Sequence, residues 1–185
     1  MRKNSKKRYR STGLTLESRV RSVSLKFYAE QLMPPKVRAD YEDLLKSKRP
    51  TDQIKARAYE KHAVALLKGR VEHMDHKYMC ASILHDKDLV RDPDDPFEAS
   101  IKKGHFHVYV WRRKEGSRFY LREIVQYLGL IYDHKKDAMM WASHGAEVIR
   151  DKCASMMYIT HETTQAILDG KHQYEVAEVM KNFND

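Results

Sequence analysis

The residues best suited to chemistry in this 185-residue chain are histidines, and two of them stand two apart in Gly104-His105-Phe106-His107-Val108-Tyr109-Val110. Alternation along an extended strand puts both imidazoles on one face and Phe106, Val108 and Val110 on the other. Neutral imidazole is the commonest protein ligand of divalent transition metals, and a strand holds a pair of them rigidly. Alone, such a pair is more often what a solvated strand face carries. A second cluster changes the balance. His85 and Asp88, in His85-Asp86-Lys87-Asp88, leave the preceding apolar run at the point where an antiparallel neighbour would bring them beside His105 and His107. Three imidazoles and a carboxylate make one mixed nitrogen and oxygen site, suited to zinc, manganese or another first-row ion, with the carboxylate keeping Mg²⁺ and Mn²⁺ in reach. Strict alternation from Met79, Ala81 and Ile83 sets His85 on an apolar face, so a strand end or bulge is expected to turn it toward the pair. His73 and His76, three apart, read as solvated helix-surface histidines rather than ligands.

A third stretch, Ser155-Met156-Met157-Tyr158-Ile159-Thr160-His161-Glu162, is expected to be helical, capped by Asp151 and running to about Thr163. Cys153, Met156, Met157 and Thr160 would form its buried face, with Ala154, Tyr158 and His161 on an adjacent stripe. Tyr158 then sits at the margin of the core, as a boundary tyrosine does, and composition alone does not single it out among eleven tyrosines.

The elements that must position these residues follow from periodicity. Arg19 to Tyr28 alternates as a half-buried strand, with Val23, Leu25 and Phe27 on its apolar face. Pro34-Pro35 ends it, and helical spacing up to about Lys68, interrupted at Pro50, predicts two helices. Lys77 to Leu84 is a strand, Asp92 to Pro96 a loop and His105 to Trp111 a further strand. Ser117 is expected to cap a helix whose Leu121, Ile124, Val125, Leu128 and Tyr132 face the core. Met139 to Ile149 is expected to be extended. The fold class is therefore α+β, a central antiparallel β-sheet with helices packed mainly on one side.

Composition bounds the partners. Lys and Arg number 35 against 26 Asp and Glu, a net charge of +9 that points to polyanions. Six of those charges (Arg2, Lys3, Lys6, Lys7, Arg8 and Arg10) lie in the first twelve residues, which contain no acid, so the rest of the chain carries only +3. Residues 1–18 read as a basic flexible arm, either a phosphate-binding tail or a solvated terminus, ahead of one domain over residues 19–185. The longest apolar stretch, Tyr78 to Leu84, is far short of a membrane span, and the basic N-terminus lacks a hydrophobic region, so a cytoplasmic protein without membrane partners is expected. Cys80 and Cys153 are expected to be small buried hydrophobes.

Taken in order, His85-Asp86-Lys87-Asp88, Gly104-His105-Phe106-His107 and Tyr158-Ile159-Thr160-His161-Glu162 resemble the replication initiators of small rolling-circle plasmids, members of the HUH endonuclease superfamily. The likeness is strongest from Tyr78 to Asp185, and the helical Arg38 to Arg70 stretch is longer than that family's pattern. The resemblance implies an HUH endonuclease fold of RRM or ferredoxin-like type. It implies that His85, Asp88, His105 and His107 bind Mn²⁺ or Mg²⁺, and that Tyr158 is the nucleophile of a single-tyrosine nickase and ligase. A tyrosine, with a free pKa near ~10, needs help to attack a phosphodiester at neutral pH, and a metal on a non-bridging oxygen supplies charge stabilisation. The implied partners are single-stranded and hairpin DNA at a replication origin, host replication proteins and further copies of the chain. Tyr109 and Trp111, on the histidine face, either stack unpaired bases or cover the sheet edge, and Arg112 and Arg113 either follow the phosphate backbone or form a solvated strand end. A mobilisation relaxase or transposase of the same superfamily, and a non-catalytic basic DNA-binding module, remain open alternatives. A two-histidine phosphoesterase would need a second His-x-Thr/Ser motif besides His161-Glu162-Thr163, and none is present.

Overall fold

In the computed structural model, residues 14–47, 49–87, 89–91, 99–101, 103–130, 132–133, 138–139 and 145–183 are described. The alternating pattern around Val23 forms strand β1 (Ser22–Tyr28), and the two apolar runs form β2 (Tyr78–His85) and β3 (His105–Arg112). Two short strands, β4 (Ala146–Glu147) and β5 (Met180–Lys181), complete a five-stranded sheet of order β4-β1-β3-β2-β5 in which every neighbouring pair is antiparallel. The fold is α+β with a central antiparallel sheet.

Helices α1 (Pro35–Lys46) and α2 (Pro50–Glu72) fill the expected helical stretch, each with proline at its first position, where no backbone N–H is needed. Ala56, Glu60, Ala63, Leu67 and Val71 form the buried stripe of α2 at helical spacing. That stripe belongs to the larger core, against Val23, Leu25 and Phe27 of β1, Phe106, Val108 and Val110 of β3, and Tyr78 and Cys80 of β2. Helix α3 (Leu121–Tyr127) adds Leu121, Ile124 and Val125 to the same core, with Leu128 just beyond it. Its start differs from expectation. Ser117 does not cap it: its hydroxyl donates to the Lys114 carbonyl in the preceding turn, and Tyr120 stands at the N-cap with no side-chain bond. The pairing of Arg19–Val20 with Phe119–Tyr120 keeps the chain extended up to Leu121 and so delays the helix. Leu14 and Leu16 pack against the core as well, upstream of the first ladder.

The opposite face of the sheet is covered too, and this decides where the histidines sit. A second core joins Ala81, Ile83, Tyr109 and Trp111 to Ile149, Ile159 and Tyr174. Its roof is helix α4 (Lys152–Ile159), followed by α5 (Thr164–Leu168) and the segment that runs into β5. Asp151 caps α4 as expected, its carboxylate accepting from the Ala154 N–H, but the helix ends at Ile159. The expected buried face of α4 is corrected: Ile159 is fully buried and Met156 partly so, whereas Cys153 and Met157 are exposed. The helix meets the sheet mainly at its C-terminal end. Cys80, by contrast, is fully buried.

Candidate metal centre

Register places the three strand histidines together. His85 pairs with His105, and Ile83 with His107, so His85, His105 and His107 share the sheet face that α4 covers. No bulge is needed to turn His85, because β2 pairs regularly with β3 through His85. The face taken as apolar along Met79, Ala81 and Ile83 is the histidine face itself. One ligand nitrogen from each of the three imidazoles lies within 4.8 Å of the others, and all three residues are buried.

The hydrogen bonds assign the nitrogens. His85 Nε2 donates to the Ile159 carbonyl at 2.7 Å, which leaves the lone pair on Nδ1; that atom is buried and has no hydrogen-bond partner among the described residues. His105 Nδ1 donates to the Lys103 carbonyl at 3.2 Å, which puts its lone pair on Nε2. An unpartnered buried ring nitrogen costs about 1–3 kcal/mol, and a bound cation removes that cost. Burial drives the His85 imidazole down to about 2, helped by the neighbouring His161 and His105 rings and Lys26 and opposed by the Ile159 hydrogen bond. Burial, with His85, His105 and Lys26 beside it, likewise holds His107 well below the ordinary histidine range. The His85 and His107 rings are thus kept neutral, the form that ligates metal. Three buried histidines lie close enough to bind one metal ion.

Further side chains complete the site. His161 is buried with its ring 4.1 Å from that of His85, and its Nδ1 donates to the His172 carbonyl at 2.7 Å. It has φ of 61° at the residue after the α4 cap. The Glu162 N–H reaches back to the Met157 carbonyl at 2.8 Å, and the His161 N–H to the Tyr158 carbonyl at 3.2 Å. That pair of bonds is a Schellman motif with histidine where glycine is usual, a choice that costs about 1–2 kcal/mol of backbone strain. Tyr174 stacks on His85 with ring centroids 4.6 Å apart and planes 12° apart, and its hydroxyl accepts from the Lys87 N–H. The sequence pattern assigns neither His161 nor Tyr174 to the histidine cluster; the fold brings both against His85.

Tyr158 is partly exposed at the rim, its ring centroid 5.7 Å from that of His107. Lys171 brings its ammonium 5.7 Å from the centre of the Tyr158 ring. The tyrosine lines a groove of about 790 Å³ with Ser24, Lys26, His107, Tyr109 and Arg150. Trp111 lies on the histidine face but is buried, 5.4 Å from Phe183, and packs in the second core. Tyr109 is 3% exposed at the floor of the groove. Arg112 sets its guanidinium 4.6 Å from the Tyr78 ring centre, and the exposed Arg113 donates to the His76 carbonyl at 3.1 Å. Asp88 and the arm residues Arg2, Lys3, Lys6, Lys7, Arg8 and Arg10 lie outside the described residues. Among the described residues, no helix is long and apolar enough to cross a membrane. No protein-family model matches the chain, and no curated protein matches it.

Proposed function

We propose that this chain nicks and rejoins single-stranded DNA through a transient bond to Tyr158, as an HUH initiator of rolling-circle plasmid replication. The observation that carries the reading is the meeting of His85, His105 and His107 across two paired strands, with the Tyr158 ring 5.7 Å from His107. His85 through Nδ1, His105 through Nε2 and His107 would hold the divalent ion, with Asp88 added by the resemblance. A set rich in imidazole favours Mn²⁺ over Mg²⁺. When bound, the ion would stabilise negative charge developing on the non-bridging oxygens of the scissile phosphate.

The chain's own residues supply the rest. Tyr158 loses its hydroxyl proton as its oxygen bonds to phosphorus, and the bond from phosphorus to the 3′ oxygen breaks. The 3′ oxygen leaves with the bonding pair and takes up a proton, giving a 5′-phosphotyrosine and a free 3′-OH. The phosphodiester energy is retained, so reversal by a 3′-OH rejoins the strand without a nucleotide cofactor. Lys26 in the groove and Lys171 over the tyrosine ring bring positive charge to the place where the phosphate must lie.

The test incubates the purified chain with labelled single-stranded DNA carrying the origin of its own replicon, with Mn²⁺ or with EDTA. Denaturing gels and mass spectrometry of tryptic peptides then read the product. A metal-dependent adduct on the peptide containing Tyr158 is expected. Binding without cleavage on verified origin DNA, or an adduct on another tyrosine, overturns the proposal.

A further inference from the structure

Beside the Tyr158 groove lies a second one, of about 690 Å³, with a different character. The chain entering β1 contributes Arg19 and Arg21, the turn after β3 contributes Arg112, Lys114 and Arg118, and the segment leading into α4 contributes Arg150 and Lys152. Against these seven cations stands one acid, Glu115. The concentration is not a reflection of composition, because residues 13–185 carry a net charge of only +3. Among the described residues, none of the seven forms an ion pair. Like charges gathered in such excess over acids repel one another, and a polyanion relieves that repulsion.

Hydrogen bonds hold the segments that carry these side chains together. The Arg112 N–H donates to the Arg21 carbonyl at 3.2 Å, Arg19–Val20 pairs with Phe119–Tyr120, and the Ser22 hydroxyl donates to the Ile149 carbonyl at 2.9 Å. The two grooves share Val148, Ile149 and Arg150 in their linings, so they are continuous. At the junction Val148 is an exposed apolar side chain, able to pack against a base where the arginines take phosphates.

We infer that this basic groove binds the phosphodiester backbone of the single strand on one side of the phosphate presented to Tyr158. The link to Tyr158 rests on the proposed function; the polyanion site does not. Arg21, Arg118 and Arg150 are exposed, so their replacement by alanine leaves the cores intact.

The test measures affinity for a labelled oligothymidylate over a salt series, in a Tyr158→Phe background so that no cleavage intervenes. The variant Arg21→Ala/Arg118→Ala/Arg150→Ala is compared with Lys55→Ala/Lys61→Ala/Lys68→Ala, which removes the same charge from exposed positions of α2. Single-strand binding releases about 0.7 counterions per phosphate contact, so the arginine variant is expected to flatten the log–log salt slope by roughly 2 and the lysine variant to leave it unchanged. An unchanged slope in the arginine variant, equal losses in both variants, or preferential competition by duplex DNA overturns the inference. Adduct formation by the wild type reads the nickase separately: an adduct with an unchanged slope removes only the groove, and a flattened slope without an adduct removes only the nickase.

Discussion

His85 Nε2 donates to the carbonyl of Ile159 at 2.7 Å, and Ile159 is the last residue of the helix that carries Tyr158. A helix leaves its final carbonyls without intrahelical donors, and here an imidazole from the sheet supplies one. One ring therefore has two tasks: one nitrogen fixes the end of α4 and the other faces the histidine cluster. Removing the ring affects both. His85→Ala is expected to weaken metal binding and also to cost about 2–4 kcal/mol, from a cavity and a buried carbonyl left without a donor. His107→Ala removes a ring that makes no such tether among the described residues, and is expected to weaken metal binding with a smaller loss of stability. Isothermal titration with Mn²⁺ and chemical denaturation of both variants check the pair.

Tyr158→Phe removes one oxygen from a partly exposed side chain and disturbs neither core. It is expected to abolish nicking and the covalent adduct while changing DNA affinity no more than a few-fold. Gel assays and anisotropy on the same DNA read the two effects.

The pH dependence of the metal-free protein follows from the neutral imidazoles. Folding lowers His85 from an ordinary 6.5 to about 2, and His107 also falls well below 6.5, so the unfolded chain binds protons that the folded one does not. Stability is therefore complete above about 6.5 and is lost as pH falls toward 2, with a slope approaching about 1.4 kcal/mol per pH unit for each ring. Thermal melts in EDTA across this range are expected to show Tm falling on the acid side. A flat profile from pH 7 to pH 4 contradicts the burial of these rings.

Glu60 is buried in α2, accepts from the Tyr41 hydroxyl at 2.7 Å and from the Gly104 N–H at 3.2 Å, and pairs with Arg57. Gly104 immediately precedes His105, and a Cβ there would lie 2.5 Å from Glu60 Oε1. A side chain there would have to displace the carboxylate, which Tyr41 and Arg57 hold in place. Glu60→Ala is expected to cost about 3 kcal/mol by stranding its partners, and Gly104→Ala to destabilise by steric clash. The double variant is expected to lose less than the two singles combined, since without the carboxylate the new methyl has room. Urea denaturation of the four proteins closes the cycle.

The strands and their histidine pair were legible because period-two alternation in β1 and β3 is strong. Which face was wet was not legible. Alternation assumes one solvated face, and here α4 and the chain leading into β5 cover part of the second, so His107 is buried beneath a roof that no local pattern announces, while Ser24 and Lys26 line the groove beside it. The same assumption produced the expected bulge at His85. Glu60 did carry a signal: it falls at the spacing of Ala56, Ala63 and Leu67, and a carboxylate on an apolar stripe marks a buried partner. His161 carried none, because a left-handed cap is read from sequence through glycine. The seven-cation groove was equally hidden, since its residues come from three segments that only the fold assembles.

The left-handed histidine bears on how this protein would respond to selection. At position 161, glycine keeps the Schellman turn and relieves the strain, while alanine keeps the strain and loses the ring; His161→Gly is expected to exceed His161→Ala in stability by about 1 kcal/mol. Differential scanning calorimetry of the two variants measures that gap. A library screened for heat resistance alone would be drawn toward glycine there and would discard an imidazole 4.1 Å from His85. Robustness and the full complement of rings are thus competing ends at this one residue, and the native chain has kept the ring.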